Sequence, residues 1–131
     1  MVDYEKIKKF FKQDIYATET TGIEIDSIGD KTATCSMKIE PKHLNAVGSV
    51  QGGAIFTLAD FTFAVATNAI EPTVSLNNSI SYIKPGKSGV LYATAKLKSE
   101  TKRMCFYDID VTDDNGVLIA TMSVTGFHTT K

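Results

Sequence analysis

The chain has 131 residues, of which 43% are hydrophobic and 22% charged, with 14 basic side chains against 15 acidic ones and a net charge of −1. This length suits one domain with a core of its own, and the balanced charge, with a pI of about 6.1, gives no basic surface of the kind nucleic acid requires. The N-terminus shows no charged leader followed by an apolar stretch, and no run is apolar enough to span a bilayer, so a cytoplasmic protein away from membranes is expected.

Residues 3–15 begin with Asp3 as a candidate N-cap and carry Tyr4, Ile7, Phe10, Phe11 and Ile15 at helical spacing, so residues 1–19 form an N-terminal helical segment. A short strand is expected over 22–29, with a tight hairpin turn at Gly29-Asp30. The next segment, TATCSMKIE, alternates Ala33, Cys35, Met37 and Ile39 against Thr34, Ser36 and Lys38, which is a half-buried strand ended by Pro41. Cys35 and Cys105 lie in strand-like segments, without the spacing of a metal site, and are expected as buried free thiols.

The run NAVGSVQGGAIFTLADFTFAVATNA, residues 45–69, is the centre of the sequence. From Gly53 it reads as a helix of about four turns whose apolar residues go round most of its circumference, so it should be buried on nearly every side. Asp60 is the one charge in it, and a lone carboxylate there is costly unless it is paired or used. Four strands follow. Residues 73–83 set Val74, Leu76, Asn78, Ile80 and Tyr82 against Ser75, Asn77, Ser79 and Ser81. Residues 90–99 set Leu91, Ala93, Ala95 and Leu97 against Tyr92, Thr94, Lys96 and Lys98. Residues 103–112 place Cys105, Tyr107, Ile109 and Val111 on one side, and residues 117–127 end the set. Pro85-Gly86 and Asp114-Asn115-Gly116 read as turns, which makes these strands an antiparallel meander. One bent sheet wrapped around one apolar helix, an α+β arrangement, accounts for the pattern, and a partner must cover what the sheet leaves bare.

A helix start presents unpaired N–H groups and a partial positive charge, and Gly52-Gly53 would let a ligand approach the backbone closely. That geometry polarises a carbonyl or holds an oxyanion; a plain tight turn into a helix is the alternative. Asp60 lies eight residues beyond Gly52, about 12 Å along a helix. The two cannot act on one small group within one chain, since reacting atoms must come within ~3–3.5 Å. Two antiparallel copies of the helix could bring them together, which predicts a twofold homodimer with two shared sites.

Asn45, Gly48, Gln51-Gly52-Gly53 and Thr57-Leu58-Ala59-Asp60 together resemble the signature of the hotdog-fold acyl-CoA thioesterases, most closely the phenylacetate-pathway (PaaI-like) branch. The resemblance runs from about residue 20 to 129, with TVSLNNSISYIKPGKSG and GFHTT matching later parts of that branch. It implies a hotdog fold and the hydrolysis of acyl-CoA to a free acid and CoA. By the same resemblance, Asp60 is the base or nucleophile and the Gly52 amide polarises the thioester carbonyl. Asn45 orients water or substrate, and Ser75 places the water; the plainer reading of Ser75 is an outward-facing serine. Gly53, Tyr82, Lys84, Lys102 and Arg103 are the implied substrate contacts, the cations for the phosphates of coenzyme A. No metal or other cofactor is implied, and paired dimers, hence a homotetramer, are common in the family. The family usually has His-Gly-Gly, and Gln51 cannot shuttle a proton near neutral pH. His43 reads as an exposed loop residue and His128 as structural. The rival reading is a non-catalytic acyl-CoA sensor on the same fold. A hydratase, which pairs an acid with a His base, and a scaffold, which has no use for a buried carboxylate, fit less well.

Overall fold

The computed structural model describes residues 3–129. Its centre is the expected apolar helix, α2, which spans Gly52–Asn68 and so begins one residue earlier than the sequence suggested. Ile55, Leu58, Ala59, Phe61, Phe63, Val65 and Ala66 are buried around it. A partly open stripe remains, formed by Gly53, Thr57, Asp60 and Ala64. These are spaced three to four residues apart and therefore lie along one face.

Six antiparallel strands curve round this helix: β1 (Ile23–Gly29), β2 (Thr32–Lys38), β3 (Thr73–Tyr82), β4 (Val90–Glu100), β5 (Met104–Thr112) and β6 (Leu118–His128). Their order across the sheet is β1-β2-β4-β5-β6-β3. Only β4, β5 and β6 form the meander. β3 lies at the far edge against β6, so Pro85-Gly86 lies in a connection that crosses the sheet and is no tight turn between neighbours. It crosses at the start of α2, where the Gly86 carbonyl accepts from the Val50 N–H at 2.8 Å.

The alternation in β2, β4 and β5 is as the sequence indicates, with Ala33, Cys35, Met37, Leu91, Ala93, Ala95, Cys105, Tyr107, Ile109 and Val111 all buried on the helix side. The first turn is displaced by one residue. Gly29 still pairs with Thr32, and Asp30-Lys31 make the turn, with Lys31 at φ 58°. The Tyr107 hydroxyl donates to the Lys31 carbonyl at 2.9 Å and holds that conformation. At the other hairpin Gly116, at φ 80°, closes the turn by donating to the Asp113 carbonyl.

β3 departs from the expected pattern. A bulge between Ser75 and Asn77 shifts its register against β6, leaving Leu76 as the extra residue. Before the bulge Ser75 faces Gly126; after it Asn78 faces Val124, Ile80 faces Met122 and Tyr82 faces Ala120. Gly126, Val124, Met122 and Ala120 are all buried. Ser75 therefore lies on the helix side with Asn78, and the outward-facing alternative for it does not hold. Val74 and Leu76, grouped with the inward set by simple alternation, are 47% and 59% exposed.

The N-terminal helix α1 is shorter than expected, Tyr4–Phe11, and is capped by Asp3, whose carboxylate accepts from the Lys6 N–H. A separate wide turn, Tyr16–Thr20, follows. Phe11 packs edge-on against Phe61 of α2, with ring centroids 5.6 Å apart.

His43, expected as an exposed loop residue, is buried at 4% exposure. Its Nδ1 accepts from the Glu40 N–H at 2.9 Å, which leaves the proton on Nε2 to donate to the Thr21 carbonyl at 2.7 Å. Its own carbonyl accepts from the Gln51 N–H at 2.7 Å. The ring thus ties the wide turn and the loop to the start of α2. Replacing His43 by Ala leaves buried backbone groups without partners. We expect a loss of about 2–4 kcal/mol of stability, read as a lower urea midpoint with an unchanged m value.

Candidate functional site

The loop before α2 is shaped by Asn45. Its Oδ1 accepts from the Val47 N–H at 3.1 Å and the Ser49 N–H at 3.0 Å, and its backbone exchanges bonds with Ser49 and Gly48. Gly48 completes the reversal at φ 82°. Chain direction is then fixed by the Gln51 N–H on His43 and the Val50 N–H on Gly86, and α2 begins at Gly52.

Gln51 occupies the N-cap position without a side-chain capping bond, and its carbonyl accepts from the Ala54 and Ile55 N–H groups. Among the described residues nothing accepts from the Gly52 or Gly53 N–H. Both point out of the positive end of a four-to-five-turn helix. Two hollows flank this end. One, of about 360 Å³, is lined by Val50, Gly52, Ile55, Tyr82, Ile83, Lys84 and Pro85. The other, of about 280 Å³, is lined by Gln51, Gly53, Ala54, His43, Lys42 and the wide turn at Tyr16.

Tyr82 leans over Gly52. Its hydroxyl donates to the Gly52 carbonyl at 3.0 Å, and a Cβ added at residue 52 would lie 3.2 Å from the tyrosine ring. A side chain at 52 would therefore press on the tyrosine ring, which would have to give by a few tenths of an ångström.

Asp60 sits at mid-helix on the partly open stripe. Among the described residues it accepts no hydrogen bond and forms no ion pair. Burial raises its pKa above the ordinary 3.8, and the nearby Asp14 carboxylate adds to the rise. Asp14 is held there by the turn it starts, accepting from the Ala17 N–H at 3.1 Å. An acid with a raised pKa and no internal partner is suited to proton transfer.

The structure thus brings Gly52, Gly53, Gln51, Asn45, Tyr82 and Lys84 to one end of α2, while Asp60 lies about 12 Å away along the axis. Ser75 lies on the inner face of β3, where its Oγ accepts from the Asn78 Nδ2 at 3.3 Å. Lys102 and Arg103 are in the β4–β5 turn, at the opposite end of the sheet, where the Arg103 carbonyl accepts from the His128 N–H. Within one chain they are not gathered with Gly52 or Lys84.

That opposite end carries a second polar cluster. His128 is 3% exposed; its Nε2 lies 3.1 Å from Glu100 Oε2 and its Nδ1 3.9 Å from Glu71 Oε2. Lys31 Nζ pairs with Glu100 Oε1 at 2.6 Å. Glu71, Glu100 and His128 are close enough to hold a metal ion, but Lys31 already occupies the carboxylate that such an ion would need. The lysine and, to a lesser degree, the imidazole hold Glu100 below the usual carboxylate range. The cluster reads as a closed network, the Lys31–Glu100 ion pair with the His128 ring against it, at the C-terminal end of α2. The thiols are not alternative nucleophiles: burial pushes Cys35 up to about 12 and raises Cys105 as well.

Sequence reasoning missed three contributors here. Asp14 lies just before a wide turn that has no sequence signature, His43 was taken for a surface residue, and Asn78 was taken for part of an apolar face. The polar Asn78 in that otherwise apolar inward set was the one available signal.

The Thioesterase superfamily model matches residues 47–120. Human acyl-coenzyme A thioesterase 13 is 32% identical over 121 residues, covering 88% of this chain and 86% of its own. The acyl-coenzyme A thioesterase PaaI of Escherichia coli is 33% identical over 101 residues, covering 76% and 72%. Among solved structures, E. coli PaaI superimposes with a TM-score of 0.90 at 25% identity, covering 98% of this chain and 96% of its own. A thioesterase protein of Streptococcus pneumoniae, solved with coenzyme A, superimposes with a TM-score of 0.83 at 26% identity, covering 91% and 96%.

The raised pKa of Asp60 has a consequence for stability. Between the unfolded and the higher folded value, the folded chain binds more protons, so stability falls as pH rises through that window. We expect Asp60→Asn to melt at a higher temperature than the native chain at pH 7. The difference should vanish below about pH 4, where the native carboxyl is protonated in both states. Thermal melts at the two pH values check this.

Proposed function

Because the chain belongs to the thioesterase superfamily, and carries a free helix-end amide pair and an unpartnered acid, we propose that it hydrolyses acyl-CoA thioesters at sites shared between two subunits. The observation that supports this reading best is the separation of the Gly52 N–H from Asp60 along one rigid helix.

In the proposed reaction the acyl carbonyl oxygen accepts from the Gly52 N–H, with Gly53 beside it, and Asn45 orients the group through its Nδ2. Asp60 of the other subunit takes a proton from water as the water oxygen adds to the carbonyl carbon, or adds directly and is then released by water. The C–S bond breaks, the thiolate of CoA leaves and takes up a proton, and the free acid remains. Ser75 holds the water beside Asp60. Gln51 supports the loop through its backbone, so the usual histidine of that position is replaced without loss of the N–H geometry. Coenzyme A arrives as part of the substrate, and the reaction as written needs no metal or organic cofactor.

Lys84, beside Gly52 and Tyr82, is placed to meet a phosphate of the nucleotide end. Lys102 and Arg103 reach the same substrate only from the other subunit, whose helix runs the opposite way. The bare stripe on α2 and the exposed Val74 and Leu76 on edge strand β3 are the surfaces such a pairing would cover. A pairing of two dimers fits the family. No helix among the described residues is long and apolar enough to cross a membrane, in keeping with action on a dissolved substrate in the cytoplasm. A sensor that binds acyl-CoA without cleaving it would not need an acid left without a partner.

Asp60→Asn is expected to reduce kcat by at least ~10²-fold with little change in KM, measured as thiol release from acyl-CoA. Undiminished turnover in the folded variant removes Asp60 from the mechanism. Shared sites also predict complementation. Asp60→Ala and Gly52→Pro, the latter removing the N–H at a helix start that tolerates proline, are each expected to be inactive alone and to regain about a quarter of native activity when refolded together, because half of the subunit pairs are mixed and one of their two sites is intact. Sites built within one chain would regain none.

A further inference from the structure

The bulged edge strand contains a polar atom that the fold does not use. Asn78 Oδ1 is buried and has no hydrogen-bond partner among the described residues. Its Nδ2 donates to Ser75 Oγ at 3.3 Å. Turning the amide over does not help, since the nitrogen would then occupy the buried position. A buried amide oxygen without a partner opposes folding, and a hydrocarbon side chain of similar size would remove that cost.

The position of Asn78 indicates what the cost maintains. The Tyr82 hydroxyl bonds the Gly52 carbonyl at one end of α2. At the other end Thr73 and Asn68 exchange two bonds, Thr73 N–H to Asn68 Oδ1 at 2.9 Å and Asn68 Nδ2 to Thr73 O at 3.2 Å. β3 therefore runs antiparallel alongside α2. Its length from Thr73 to Tyr82, about 30 Å at ~3.3 Å per residue, spans about 24 Å of helix at 1.5 Å per residue. On that scale Asn78 is level with Ala59 and Asp60, and Ser75 is level with Ala64, one turn further on. Both face the helix side because of the bulge at Leu76.

We propose that Asn78 is a positioning residue for the thioesterase reaction, orienting the Ser75 hydroxyl, one helical turn along α2 from Asp60, toward the water that Asp60 activates. This rests on the proposed function. With the Asn78 N–H donating into Ser75 Oγ, one lone pair of that oxygen is occupied and the hydroxyl proton is directed away from Asn78, free to donate to a water on the Asp60 side. The orphaned Oδ1 is the stability given up to hold this geometry, a trade that recurs at functional sites.

The test uses Asn78→Leu, Ser75→Ala and the double variant, each measured for kcat, KM and melting temperature with a panel of acyl-CoAs. Asn78→Met serves as a second replacement in case the branched chain does not pack. Asn78→Leu is expected to reduce kcat at least tenfold and leave KM within twofold, with a melting temperature equal to or above the native one. The double variant should be no slower than the slower single variant, because Asn78 acts through Ser75. Unchanged kcat in a folded Asn78 variant, a melting temperature that falls in step with activity, or losses that multiply in the double variant would each overturn the assignment. A native protein that releases no CoA from any acyl-CoA overturns the underlying function as well. Native turnover with an equally active Asn78→Leu overturns the role of Asn78 alone.

Discussion

A helix with no polar face has to be enclosed, and α2 sets this requirement for the whole molecule. Leu58, Ala59, Val65 and Ala66 have no exposed surface, which takes a sheet curved far enough to meet the helix on several sides. The small residues of β2 and β4, Ala33, Cys35, Ala93 and Ala95, let the sheet close on the helix without a gap. At roughly 25 cal/mol per Å² of apolar surface removed from water, this enclosure is the main source of stability. The enclosure is incomplete along one stripe, and that stripe contains the only charge on the helix. The same requirement therefore keeps Asp60 half-desolvated and leaves it facing whatever covers the stripe.

How much of this was legible in the sequence depended on how much each residue was constrained by burial. β2, β4 and β5 were readable because Ala33 to Met37, Leu91 to Leu97 and Cys105 to Val111 alternate between a filled core and water, so any slip would expose a full row. The hotdog fold and its family were implied by the resemblance carried by Asn45, Gly48, Gln51-Gly52-Gly53 and Thr57 to Asp60, and both are supported by the structure and the comparisons. β3 was misread where burial is weakest. As an edge strand with one open side it tolerates an inserted residue, and nothing in SLNN announces that Leu76 is the extra one. Its place beside β6 was hidden as well, because turn chemistry at Pro85-Gly86 describes local bending and carries no information on which strand comes next in space. His43 was misjudged because a histidine between Lys42 and Leu44 looks solvated, and its two backbone partners come from segments that only the fold brings together.

Charge is arranged differently at the two ends of α2. At the C-terminal end Lys31 pairs with Glu100, which also meets the His128 ring, and Glu71 lies close by, drawing on the β1–β2 turn, the loop after the helix, β4 and β6. At the N-terminal end the backbone dipole and two amide protons remain uncompensated. A site meant to receive a developing negative charge benefits from that asymmetry, since donors already aligned need no reorganisation when the charge appears.

The double hydrogen bond between Asn68 and Thr73 has a mechanical side. It fastens the helix at one end, and the glycine end is fastened by Tyr82 on Gly52 and by the Val50 and Gln51 N–H groups on Gly86 and His43. Fastened at both ends, α2 is a strut of fixed length. Under the proposed function, that fixed length sets the distance between the amide lent to one site and the acid lent to the other.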